Sequence, residues 1–502
     1  MIMKRYKKAI GSVLAAFLAV SGGLCGCDGT SQTDAPDYSA SDKQFSFYAY
    51  APPGDGIYTV DGVSYDGAHD ENGNRISFQT VEKYREYAEC GFDTIMFQAD
   101  DPYTGTETWE QSHLKSIMDK AEEVGLRAIM FDSRLHDLSA STEPIVGAGC
   151  RFSTQEELEE YVASCMRDYT GHPAFYGLLI RDEPTYEMFP AIGALYRAIK
   201  KNYPDCFIQC NLFPLDPSNA AAYAEGGTVS TANSSYRAYL EEFIDRTGAD
   251  YVMFDSYPMM KDTKGGNIIK EAHLKGLEIA ADVARSKNVA LYAVAQTCSW
   301  KKNGVQRARA CTEADMYWQT NLYMGMGVKQ ISYFTYQRKR TNSTSGEYFD
   351  DGTSFIRSNG EKTELYDWMQ KIHGEMQKLA SVILNFDYVG LRSYVGGTAP
   401  CPIGFLAGVQ DCEFTMIDDA QTSDSSVMLI TELYDDEKNQ YMYMIQNIAD
   451  PSVVAEPLTA SVTFSDTQAL AVYDKGERFL SEYDGEYTVE LAPGEAVFVL
   501  PY

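Results

Sequence analysis

The chain is 502 residues long, with 72 acidic and 42 basic side chains, a formal charge of −30 and 44% hydrophobic residues. That length and apolar share can bury a large core, while the negative field repels polyanions and argues against nucleic acid as a partner. Six histidines without HxH or HExxH spacing, eleven cysteines without a CxxC pair, and no GxSxG elbow or Walker loop leave metal, thiolate, serine and nucleotide chemistry without a motif. No cofactor is expected.

The first 27 residues open with Lys4, Arg5, Lys7 and Lys8, run apolar from Ala9 to Val20 and end in small residues, the layout of a secretory leader. Leu24-Cys25-Gly26-Cys27 resembles the lipobox of bacterial lipoproteins, which implies acylation of Cys27 and a lipid anchor on the extracytoplasmic face of the cell membrane. No later segment offers the ~18 to 20 uninterrupted apolar residues of a membrane helix. Residues 28–43 are polar and small and read as a flexible tether.

From Phe45 onward, short apolar runs alternate with longer amphipathic ones, as βα units do. Strands are predicted at 45–50, 92–98, 126–132, 175–183, 206–213, 251–257, 289–296 and 330–336. Helices are predicted at 80–90, 109–124, 154–169, 187–202, 235–247, 268–287, 312–326 and 363–379. Ser153-Thr154 supplies a cap for the third helix, and Gly91, Gly125, Gly248 and Gly327 stand where helices stop. Eight units with no GxGxxG after any strand predict a (β/α)8 TIM barrel over 44–386 in preference to a doubly wound sheet. From 387 to 502 the texture changes to alternating stretches such as QYMYMIQNI, LTASVTF and EAVFVLPY, which predict an antiparallel β-sandwich. Cys401 and Cys412 are spaced so that they could pair in an exported protein.

In such a barrel the reacting groups gather at the carboxyl ends of the strands. Those ends hold Gln98, Asp100, Asp132, Arg181-Asp182-Glu183, Asn211, Asp255, Tyr257, Gln296, Tyr333 and Tyr336. Carboxylates, amides and aromatic rings are what a carbohydrate site needs, for hydroxyls and for the C–H face of a pyranose. Trp300, on a polar loop with Lys301 and Lys302, adds a stacking ring. Strict alternation places Gly177, Leu179, Arg181 and Glu183 on the inward face and turns Asp182 sideways. Partial desolvation of Glu183 at the mouth would raise its proton affinity toward acid duty. The acidic turns at 71–75 and Asp350-Asp351 read as turns, and no metal is expected.

The fourth strand, HPAFYGLLIRDEP, ends in Glu183-Pro184; with ADYVMFDSYP, GMGVKQISYFTYQ and the closing LAPGEAVFVLPY, it resembles the clan A glycoside hydrolases and the sandwich domains that trail β-galactosidase-like barrels. The resemblance implies that Glu183 is the general acid/base of a glycosidase acting on a neutral oligosaccharide or polysaccharide. Two positions depart from the pattern: Asp182 stands where the clan has asparagine, and Gln296 ends strand seven where the clan has its nucleophilic glutamate. Asp255, ending strand six, is favoured as the second carboxylate, an arrangement known among α-galactosidase-like hydrolases; Asp132 and Asp100 are alternatives. A separation of about 5 to 5.5 Å would mean retention, and roughly 6.5 to 9.5 Å inversion. Expected roles are thus catalysis for Glu183 and Asp255 and sugar contact for Gln98, Asp132, Arg181, Asp182, Asn211, Tyr257, Gln296, Trp300, Tyr333 and Tyr336. The competing reading, favoured by Gln296, is a glycan-binding lipoprotein that has lost catalysis.

Overall fold

A computed structural model describes residues 35–54, 58–60, 63–65, 72, 77–99, 101–224, 232–337, 346–396, 406, 408–423 and 426–502. The lipidation candidate Cys27, Asp100, most of the 71–75 turn and Cys401 lie outside these residues. Among the described residues no helix is long and apolar enough to cross a membrane.

The first part of the chain is mixed α/β with parallel sheets. Its strands are β1 (Ser46–Ala49), β2 (Thr94–Met96), β3 (Arg127–Met130), β4 (Phe175–Asp182), β5 (Phe207–Asn211), β6 (Tyr251–Asp255), β7 (Ala290–Gln296) and β8 (Val328–Phe334). They form two four-stranded sheets, ordered β1-β8-β7-β6 and β2-β3-β4-β5, with every neighbouring pair parallel. At one seam the Asp93 amide donates to the Phe47 carbonyl at 3.1 Å, and at the other the Leu212 amide donates to the Met253 carbonyl at 2.9 Å.

Side chains alternate between two apolar environments, so these strands read as continuous hydrophobic runs. Phe47, Ala128, Leu178, Ile208 and Val252 pack outward on helices, while Tyr48, Met96, Ile129, Leu179, Phe207 and Met253 fill a separate inner cluster. Gly177 is required where β4 passes β5, because a Cβ there would collide with the Phe207 carbonyl oxygen.

The helices are α1 (Val81–Glu89), α2 (His113–Glu123), α3 (Ser133–Ser139), α4 (Gln155–Met166), α5 (Phe189–Asn202), α6 (Ala232–Thr247), α7 (Ala272–Lys287), α8 (Glu313–Gly325) and α9 (Glu364–Ile383). Thr80, Ser112, Asp132, Thr154 and Thr312 accept from free amides at five of the starts. The predicted helix at 109–124 begins instead with a 3-10 turn, because Ser112 caps a fresh start. Helix α3, seven residues long, is too short to announce itself by periodicity. Sequence reading also missed a five-stranded antiparallel sheet made of loops, from Met259–Lys261, Asn267–Ile269, Trp300–Lys302, Val305–Ala308 and Glu347–Phe349.

The C-terminal region is antiparallel. Strands β9 (Asp387–Val395), β10 (Ile417–Thr422), β11 (Val427–Asp435), β12 (Gln440–Asn447), β13 (Leu458–Phe464), β14 (Ala469–Asp474), β15 (Glu477–Glu482), β16 (Tyr487–Leu491) and β17 (Ala496–Pro501) form two sheets. One is ordered β9-β11-β12-β17-β14-β15 and the other β10-β13-β16, and they share a core of residues such as Met428, Ile445 and Val497 against Ala460 and Val462. The opposite face of the larger sheet lies on α8, where the Trp318 indole donates to the Ile448 carbonyl at 3.1 Å and Gln446 to the Trp318 carbonyl at 2.9 Å.

The tether expected over 28–43 is, in its described part, largely exposed but pinned at one residue. Tyr38 is buried and its hydroxyl donates to Asp435 at 2.9 Å, while Lys438 donates to the Asp37 carbonyl at 2.8 Å. One large ring finding a cleft outweighs the polar composition around it.

Candidate functional site

The chemistry-bearing residues at the carboxyl ends of β4, β5 and β6 come together through a defect in β4. Leu179 pairs with Gln209 but Arg181, not Ile180, pairs with Cys210, so Ile180 is bulged out of the ladder. A bulge reverses the alternation beyond it. Asp182 therefore pairs with Asn211 and turns inward, which corrects the expectation that Arg181 would hold that place. Arg181 faces outward and donates to His136 at 3.3 Å, where burial and the guanidinium hold the imidazole proton affinity down to about 4.

Asn211, buried at 3% exposure, donates through Nδ2 to Asp182 at 3.1 Å and to Asp255 at 2.9 Å. Asp255 is 6% exposed. Burial first, then the charge of Asp182, push the Asp255 carboxyl up to about 6, against the downward pull of the Asn211 and Tyr257 hydrogen bonds. Below the carboxylates, Tyr50 reaches Asp182 at 3.4 Å and receives Gln209 at 3.4 Å, and Gln209 accepts from Tyr48 at 2.6 Å. A polar column thus descends from the mouth into the inner cluster.

Glu183 follows directly. Its amide donates to the Asn211 carbonyl at 2.8 Å, and its backbone lies in the left-handed region at φ 46°, uncommon for a residue with a side chain. Such an outlier persists only where the surroundings hold it, and these positions cluster at functional sites. Burial first, with the charge of Glu183 among the lesser causes, raises the proton affinity of Tyr223, Tyr239 and Tyr257.

An aromatic wall borders these acids. Ring centroids step from Tyr50 to Phe334 at 6.1 Å, to Tyr257 at 5.2 Å and to Trp300 at 5.5 Å, with Trp300 edge-on to Tyr257. Trp300 is carried on the loop sheet and backed by Phe349 at 6.2 Å. Gln98 stands at the rim, half-buried, accepting from the Ala51 amide at 3.2 Å. Tyr50 was missed in the sequence, although it ends the first predicted strand, and Phe334, between Tyr333 and Tyr336 at the end of the eighth, was given no role there.

Four expected contacts lie elsewhere. Asp132 caps α3, is buried at 1% exposure and is taken up by Arg134 at 2.7 Å and Tyr169 at 3.0 Å. Gln296 is wholly buried, its amide spent on the Met259 amide at 2.8 Å and the Met259 carbonyl at 3.1 Å, so it braces the loop sheet. Tyr333 is buried outward and bonded to His373 at 2.9 Å, and Tyr336 is a core ring packed on Phe355. Position on the strand, which alone decides inward or outward, is unreadable where bulges occur.

Two ionic clusters away from the mouth are also satisfied. Asp350 accepts from Ser299, Lys301 and Gln306. Asp119, Glu122 and His172 meet near the surface, but His172 Nδ1 accepts from the Ala174 amide at 3.2 Å, so Nε2 carries the proton toward Asp119 at 3.0 Å. That tautomer presents no lone pair to a cation.

No protein-family model and no curated protein matches the chain. Among solved structures it is similar to a β-galactosidase from the psychrophilic Marinomonas ef1, at 16% identity over 61% of this chain and 58% of that one, with a TM-score of 0.34. It is similar to a protein described as a glycoside hydrolase, at 12% identity over 90% and 98% of the two chains, TM-score 0.44, and to xylanase 10B from Thermotoga maritima, at 12% over 59% and 90%, TM-score 0.36. The chain thus spans little more than half the length of the Marinomonas enzyme, and these structural neighbours are glycoside hydrolases.

Proposed function

We propose that the chain is a glycoside hydrolase acting on a neutral oligosaccharide or polysaccharide, with its two parallel sheets forming the halves of a (β/α)8 barrel. The seam hydrogen bonds at Asp93 and Leu212 support the barrel. One observation carries the activity: a buried carboxylate, Asp255, shares the Asn211 amide with a second carboxylate, Asp182, at the strand ends, with Glu183 next in the chain and an aromatic wall along the edge. A desolvated acid beside a second carboxylate, with stacking rings along the edge, is the equipment of acid/base cleavage of a glycosidic bond. In this reading Glu183 protonates the leaving oxygen, Asp255 is the second carboxylate, and Tyr257 and Trp300 hold the sugar. The test is turnover of a panel of aryl glycosides and glycans by the intact protein and by Glu183→Gln and Asp255→Asn. We expect losses of about 10²-fold or more; unchanged rates in either variant would overturn the assignment.

A binding-only reading rests on Gln296, since strand β7 brings no carboxylate to the mouth. Glycan binding without hydrolysis, equal in wild type and Glu183→Gln, would select it.

The same proposal puts the chain at the cell surface through acylated Cys27. Residues 37–45 run beside Asp435, Lys438 and Gln377, at the amino ends of the parallel strands, so the mouth would open away from the membrane. Palmitate incorporated equally by wild type and Cys27→Ser would refute the anchor.

A further inference from the structure

The resemblance assigns Asp182 no more than a sugar contact, in the place where an asparagine is usual, yet the bulge at Ile180 brings its carboxylate into the mouth. Asn211 Nδ2 has two hydrogens, and both are committed, one to Asp182 and one to Asp255. The two acceptor oxygens therefore lie no farther apart than those two bonds laid end to end. The amide cannot be reversed, because its oxygen would then face two carboxylates. Its Oδ1 is buried and has no hydrogen-bond partner among the described residues.

The two acids differ in exposure. Asp182 is open to solvent and Asp255 is not. Two like charges at such a separation oppose each other's ionisation, and the buried one suffers more, having lost its water. Asn211 from β5 bonds Asp255 and Asp182 from β4, and Tyr50 beyond β1 bonds Asp182; burial first, with the charge of Asp255 among the further causes, raises the proton affinity of Tyr50, Tyr257 beyond β6, Tyr236 on α6 and Tyr323 on α8. The charge of Glu183 is the least of the causes that raise Tyr257.

We propose that Asp182 is a positioning residue that sets the charge state of Asp255, with Asn211 as the brace that opposes it. Asp182 makes the inner carboxylate a stronger base, and Asn211 keeps it from becoming a permanently protonated acid. For the glycosidase reading, on which the catalytic meaning rests, this gives the second carboxylate a proton affinity closer to neutrality than an ordinary aspartate has, and a stronger base is the better proton acceptor or nucleophile. The electrostatic claim itself concerns the ligand-free protein.

The experiment uses the full chain labelled with 13C-aspartate, the Asp255 carboxyl resonance being the one absent from Asp255→Asn, titrated without substrate. Asp182→Asn should lower the Asp255 midpoint by a unit or more, tenfold or more in proton affinity, and Asn211→Ala should raise it. Opposite shifts are a signature that loosened packing would not produce. A midpoint unmoved in Asp182→Asn, or moved in the same direction by both variants, would overturn the proposal. Asp182 is exposed, so its variant carries the test should Asn211→Ala not fold. If turnover is also measurable, the acidic limb of the pH–rate profile should follow the same two directions. Correct NMR shifts with no turnover would sink the hydrolase reading and leave the pair intact.

Discussion

Two groups of buried acids lie on either side of the loop sheet, and they are neutralised in different ways. Behind it, Arg309, 6% exposed, forks onto Asp315 at 2.5 and 2.7 Å and reaches Asp450 at 3.0 Å, joining the loop sheet, α8 and the C-terminal sheets in one ion cluster. In front of it, Asp255 has, among the described residues, an amide in place of a guanidinium, and a second carboxylate on the same amide. A buried acid given an arginine is held ionised for structure. One whose partners among the described residues are a neutral donor and a like charge keeps a proton affinity that can be used. The difference separates scaffold from chemistry more sharply than burial does, because all three aspartates are buried.

The comparison can be broken most severely at Arg309. Arg309→Ala leaves Asp315 and Asp450 buried without their cation and should cost about 3–5 kcal/mol in chemical denaturation. A cost below 1 kcal/mol would mean that the cluster is not what clamps the C-terminal sheets to the loops.

A smaller effect of opposite sign is expected at Asp255. Its folded carboxyl is raised from 3.8 to about 6, so the native state binds the proton more tightly than the unfolded chain. The stabilisation is complete below pH 3.8 and is lost as pH rises toward 6. Asp255→Asn should therefore gain up to about 3 kcal/mol over wild type at pH 8 relative to pH 4, read from paired denaturation curves. A gain that does not depend on pH would show that the group is not titrating in that window.

The smallest effect belongs to the outer edge of the same sheet. Lys302 and Glu347 pair at 3.4 Å, the lysine exposed and the glutamate about one-third exposed. Lys302→Ala should change stability by less than about 1 kcal/mol, and the change should fade in high salt. A salt-insensitive loss would place that pair with Arg309 rather than on the surface.

The βα alternation was legible because each element buries one face locally: strands 175–183 and 289–296 read almost as observed, and capping threonines marked several helix starts. Most of the mouth was legible in kind, since Asp182, Glu183, Asn211, Asp255 and Tyr257 all end predicted strands. What failed was orientation. A single bulged residue exchanged Arg181 for Asp182, and nothing in GLLIRDEP marks it, because the bulge is set by how β4 fits β5.

Composition and period thus determined the kinds of element, their order and the acidic, aromatic character of the strand ends, since each of those depends on residues close in sequence. Tertiary packing alone decided which carboxylate faces the mouth, that Gln296 braces a loop, that Tyr38 is buried, and that Arg309 meets Asp450 across a separation of 141 residues. Those outcomes turn on which surfaces meet in space, and a hydrogen bond or an ion pair between distant segments leaves no periodic trace along the chain.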